Sequence, residues 1–118
     1  MATPNIVSVA TINAVNAAAA ITTSRAAAID VAAEKVAKVN TILVCNIDGS
    51  NAADVTIEVS IDNGSNFVAI ASTISVPADA TLSFLETPIY LDETDLLYFT
   101  ASANSDLTYF VSYELITD

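Results

Sequence analysis

Asp54-Val55-Thr56-Ile57-Glu58-Val59-Ser60-Ile61 is the stretch that decides the fold. A period of two puts alternate side chains on opposite faces of an extended chain. Val55, Ile57, Val59 and Ile61 are therefore expected in a core, with Thr56, Glu58 and Ser60 turned to solvent. Asp62-Asn63-Gly64-Ser65-Asn66 comes next. Asn-Gly accepts positive φ and marks a short hairpin, so Phe67 to Val76 is expected to return as the partner strand.

The same pattern runs outward in both directions. Pro77 ends the returning strand, because proline cannot donate to a ladder. Short strands are expected over Thr81 to Leu85, Pro88 to Leu91, Leu96 to Ser102 and Leu107 to Ile116. In the last of these Leu107, Tyr109, Val111, Tyr113 and Leu115 share one face. Lys38 to Ile47 is expected as a longer central strand. Val39, Leu43, Cys45 and Ile47 form one set, yet Ile42 and Val44 are apolar on the other, so this strand is expected to be covered on both sides or to lie at an interface. Toward the N-terminus, Ile6, Val7, Val9 and Ile12 are expected to form a strand after Pro4. The eleven alanines between residues 14 and 37 favour helix by propensity. They lack an apolar stripe at helical spacing, so Ile21 to Thr23 and Ala27 to Val31 are expected as strands packed closely against a partner.

Short strands separated by turns every eight to twelve residues predict an all-β fold. The expected architecture is one antiparallel β-sandwich of seven to nine strands, jelly-roll or Ig-like, spanning residues 1–118. Residues 1–37 are expected to act as an N-terminal docking or oligomerisation segment. A chain of 118 residues is long enough for one core without a disulfide or metal.

Composition excludes most chemistry. There is no His and no Trp, one Cys, and only three basic residues, Arg25, Lys35 and Lys38. A Ser-His-Asp triad and the usual zinc sites need His, and no Gly-rich phosphate loop is present. No enzyme activity and no cofactor are expected. A net charge of −11 with so few cations argues against nucleic acid and against anionic membrane surfaces. No run of about 18 apolar residues spans a bilayer, and no basic region followed by an apolar block reads as a signal peptide. Cys45, within Ile42-Leu43-Val44-Cys45, is expected as a small buried hydrophobe. Asp48 to Asp54 looks superficially like a calcium loop, but the full EF-hand spacing is absent, and Asp92 to Asp95 offers carboxylates that would hold a hard cation only together with a second loop. They are read as solvated turns, and no metal is expected to be required.

The order of several short motifs carries a resemblance. Lys38 to Gly49, ending Asn46-Ile47-Asp48-Gly49, leads into Ala53 to Ile57. Val76-Pro77-Ala78-Asp79-Ala80, Ile89 to Asp95 and Ser112-Tyr113-Glu114-Leu115 then follow in series. This order resembles small β-sandwich virion proteins of tailed bacteriophages, over about two-thirds of the chain. The resemblance implies a non-enzymatic particle component, on capsid, neck or tail.

Charge layout adds a direction. Residues 1–38 carry three cations and two carboxylates, net +1, whereas residues 39–118 carry twelve carboxylates and no cation. The expected role is a capsid decoration (cement) protein on the outer surface of the virion, its near-neutral N-terminal part lying on the major capsid protein. Asn5, Val7, Arg25, Lys35 and Lys38 are the expected capsid or subunit contacts. The expected state is a homo-oligomer, a trimer at a capsid symmetry axis. The alternative is a neck, tail or fibre module that binds a host receptor or glycan.

Overall fold

The computed structural model describes Pro4, Ile6, Val7 and residues 9–118. Nine strands follow in order: β1 Thr11–Ala20, β2 Ala26–Asp30, β3 Lys35–Asn46, β4 Ala53–Ser60, β5 Val68–Val76, β6 Thr81–Ser83, β7 Ile89–Leu91, β8 Leu96–Ala101 and β9 Leu107–Thr117. No helix occurs among the described residues.

The strands form two packed antiparallel sheets. One runs β1-β9-β3-β6, with β7 also paired to β3 on the β6 side; the other runs β2-β8-β4-β5. Only β4 and β5 are joined as a hairpin within one sheet. The chain otherwise crosses between the sheets, except that β6 and β7 follow each other along one edge of β3. This is the interlocked Greek-key order of a jelly roll, and it resolves the two topologies left open by the sequence.

The core forms where inward faces meet. Val55 and Ile57 of β4 are fully buried, as are Ala37, Val39, Ile42 and Val44 of β3 and Leu107 and Val111 of β9. Phe99 and Tyr109 stack across the gap between sheets, with ring centroids 4.5 Å apart and planes within 6°. Tyr113 and Leu115 pack against the same core, on the face the alternation of β9 assigns them.

β3 answers its own ambiguity. Its register with β9 shifts between Val39 and Thr41, so Asn40 is an extra residue. A bulge of this kind swaps the faces of everything beyond it. Ala37 and Val39 point inward before it, Ile42 and Val44 after it, and Leu43 and Cys45 turn outward. Cys45 is therefore half-buried on an outer face rather than a core residue.

Other boundaries also move. Ile61 lies past the end of β4 and is 74% exposed, and Val59 is only partly buried. The strand expected at Ile6 to Ile12 is not formed there, since Ile6 and Val7 lie in a turn and β1 runs Thr11–Ala20; Ile21 to Thr23, also expected as strand, lie in the connection to β2. In the β4–β5 connection Asn63 and Gly64 both take positive φ, at 58° and 86°. Glu58 is not simply solvated: its carboxylate holds Arg25 through two hydrogen bonds of 2.8 and 3.1 Å.

These positions set a measurable contrast. Ile57→Ala is expected to cost about 2–5 kcal/mol, the range for emptying a packed site. Glu58→Ala is expected to cost less, about 1 kcal/mol, the upper end for a partly exposed ion pair. Chemical denaturation of both variants checks the register of β4; equal losses would mean it is wrong.

Candidate functional site

The outer face of the five-stranded sheet is the feature that stands apart. Alternation from the buried residues places Ala14, Asn16, Ala18 and Ala20 of β1 on this face. Thr108, Phe110, Ser112 and Glu114 of β9 lie beside them, then Lys38, Thr41, Leu43 and Cys45 of β3 and Thr81 and Ser83 of β6. Only three charged residues occur on the strands of this sheet: Lys35, Lys38 and Glu114. Thirteen of the fourteen carboxylates lie elsewhere.

The face holds a shallow apolar concavity of about 560 Å³, lined by Ala18, Ala20, Leu43, Cys45, Thr108 and Phe110 among others. Phe110 is 39% exposed within it. Toward the opposite end of the sheet a second concavity of about 250 Å³ is bounded by Pro4, Ile6, Val36, Tyr90 and Asp92. The N-terminal segment thus lies against the end of the sheet where β3 starts.

The carboxylates gather at the two ends of the sandwich. At one end, Asp79 N donates to the Asp48 carbonyl and Ile47 N to the Asp106 carbonyl, which brings those three loops together. At the other, Glu34 N donates to the Glu93 carboxylate at 2.8 Å, Asp118 N to the Glu34 carbonyl and Val31 N to the Asp95 carbonyl.

The acidic turns are tied internally by hydrogen bonds. Asp48 accepts from Ser50 N at 2.8 Å, and the buried Asn46 amide donates to the carbonyls of Asn51 and Val76. Asp62 accepts from Asn66 N, the Asn66 amide and the Ser60 hydroxyl, while the Ser60 hydroxyl accepts from Gly64 N. These hydrogen bonds, from Asn66 above all, hold the Asp62 carboxyl below its ordinary value. Asp95 sits the other way: burial raises its carboxyl, partly countered by the bond from Asp92 N. Among the described residues no three Cys or carboxylate groups cluster as metal ligands.

The contact residues expected from sequence are not brought together. Asn5 lies outside the described residues. Val7 is 93% exposed. Arg25 lies on the outer face of the other sheet, bound to Glu58 and stacked 3.7 Å over the Phe67 ring, which meets Tyr98 edge-on at 5.0 Å. Its charge is committed within the chain. Lys35 donates from Nζ to the Thr117 hydroxyl at 2.9 Å. Of the three cations only Lys38 belongs to the charge-poor face, in register with Glu114. Leu43, Cys45 and Phe110, which line the concavity, were not among the residues expected from sequence. For Leu43 and Cys45 the signal was that both faces of β3 are apolar, unassigned until the bulge was known; for Phe110 it was an aromatic on the face of β9 opposite Leu107 to Leu115.

Comparisons with known proteins bear on the fold. No family model matches the chain, and no curated relative does. Among solved structures, a subunit from work titled "Bacillus endospore appendages form a novel family of disulfide-linked pili" superimposes with a TM-score of 0.56. It is 16% identical, over 91% of this chain and 87% of that one. A pentameric capsid protein isolated from metagenomic phage sequences aligns at a TM-score of 0.41 and 14% identity, over 86% of this chain and 60% of its own. The first of these likenesses establishes shared architecture alone.

The Asp62 clamp makes a pH prediction. A carboxyl held below its unfolded value stabilises the fold above about pH 4, and that contribution is lost as pH falls through the folded value. Asp62→Ala is expected to lower the melting temperature at neutral pH and to flatten its fall in acid. A parallel shift of the whole profile would mean that the Asp62 charge is not what matters.

Proposed function

We propose that the protein is a non-enzymatic virion structural protein, a capsid decoration protein that lies on the outer surface of a phage shell. The observation that carries the reading is the broad, almost uncharged face of the five-stranded sheet. Most soluble surfaces spread charge of both signs, and an apolar, charge-poor patch of this kind marks a protein contact. The acidic loops leave that face free to meet a protein lattice while they stay in solvent. The motif order that resembles tailed-phage virion proteins supports the same reading.

The division drawn at residue 38 is replaced by a spatial one. The neutral surface combines β1 from the N-terminal part with β3, β6 and β9 from the rest, and its partner is proposed to be the major capsid protein. Lys38 and Val7 are kept as proposed contacts; Arg25 is not, because Glu58 and Phe67 already engage it. A trimer built through β1 would need that strand to join a different edge of its neighbour. The two-fold pair argued below is proposed in its place.

A disulfide-linked polymer, the assembly named for the pilus subunit of similar fold, needs at least two thiols per copy. These residues supply only Cys45, so disulfides alone could join no more than two copies.

Phe110→Glu places a charge at the centre of the proposed contact without touching the core. It is expected to weaken binding to stripped phage particles at least about tenfold, the size of one lost contact of about 1.4 kcal/mol, with melting changed little. Glu58→Ala, on the opposite sheet, is expected to bind as the parent does. Sedimentation of particles with each protein measures this; undiminished binding by Phe110→Glu would reject the docking face.

A further inference from the structure

The five-stranded sheet ends at β1, and β1 carries none of the devices that protect an edge. It has ten residues, no Pro, no charge, and an unbroken register with β9 from Thr11 to Ala20. The other described edges are guarded. β2 has five residues, ends in Asp30 and shifts register between Ala27 and Ile29. β5 shifts register twice and turns Thr73 to a φ of 51°. β6 and β7 have three residues each. Long, flat, uncharged edges recruit another strand.

The ladder shows which groups are open. Ile21 N donates to Leu107 O, which makes the odd residues of β1 the ones bonded to β9. In an antiparallel ladder the intervening residues point their N–H and C=O the other way. Ile12, Ala14, Asn16, Ala18 and Ala20 therefore direct them to the open edge.

We propose that two copies of the protein join through β1, antiparallel, about a two-fold axis at Asn16. In that register Asn16 faces Asn16, Ala14 faces Ala18, and Ile12 faces Ala20 of the other copy. All five open residues on each strand are used, giving about ten backbone hydrogen bonds. The side chains fit the same register. Ile12 is 57% exposed at one end of β1, and the apolar concavity lined by Ala18, Ala20 and Phe110 lies at the other. Antiparallel pairing sets each Ile12 against the partner's concavity, twice by symmetry.

Electrostatics permits the seam despite a net charge of −11 on each chain. Glu114 from its counterpart, and Asp118 from Asp106 of the other copy, stay at least about 14 Å apart, three strand spacings. That exceeds the Debye length of about 8 Å at physiological salt. A heterologous joint to β2, β5, β6 or β7 would meet a bulge or a three-residue strand, so a second β1 is the edge that β1 fits.

The pairing is tested without any particle, so its failure and that of the capsid reading are separable. Analytical ultracentrifugation at tens of micromolar is expected to give the mass of two chains. In a Cys45→Ser background, Asn16→Cys is expected to form a disulfide dimer under mild oxidant, because facing Cα atoms lie about 5.5 Å apart in a hydrogen-bonded pair. Ile12→Cys and Ala20→Cys are each expected to stay unlinked alone and to link when mixed. Asn16→Lys sets like charges face to face at the axis; it is expected to weaken the dimer at least about tenfold while the diluted protein melts as the parent does. A monomer with no Asn16→Cys link, self-linking of Ile12→Cys, or a mass that grows past two chains with concentration would overturn the proposal.

Discussion

Strands β3 and β9 run antiparallel along nearly their whole lengths, from Lys35 opposite Thr117 to Asn46 opposite Leu107. Every other strand of the five-stranded sheet attaches to one of the two: β1 to β9, and β6 and β7 end to end along β3. Within this pair the bulge at Asn40 decides which side chains become core and which become surface. Without it, Ile42 and Val44 would leave the interior and Leu43 and Cys45 would enter it. The buried cluster and the apolar concavity are thus two outcomes of one extra residue.

That constraint explains what could be read in advance. β4 alternates cleanly because one of its faces meets the core and the other carries polar groups, so its register was legible from Val55 to Ile57. β9 was legible for the same reason, with Tyr109 and Tyr113 on the inner face. β3 resisted, because both of its faces are apolar and a bulge leaves no mark in composition. The alanine-rich segment was legible as strand only by the lack of a helical stripe. Its start was misplaced, since the apolar spacing of Ile6, Val7 and Val9 looks like a strand and no register partner is visible in a linear sequence.

The candidate face was hidden for a related reason. Charge counted along the chain separates residues 1–38 from the rest. Charge counted in space sets thirteen of the fourteen carboxylates off the five-stranded sheet, because β9, at the far end of the sequence, lies between β1 and β3. Arg25, Lys35 and Lys38 are neighbours in sequence, yet they end on different parts of the surface. Arg25 is drawn to Glu58 and Phe67 by pairing and ring stacking, which together outweigh sequence proximity.

The gathering of carboxylates at the two ends of the sandwich has a geometric consequence. The molecule measures 49 × 27 × 20 Å, an elongated body with acidic poles and a neutral waist. Two such bodies meeting end on press like-charged loops against each other, whereas flank-to-flank approach leaves the loops side by side in solvent. Columns are therefore discouraged and layers are permitted.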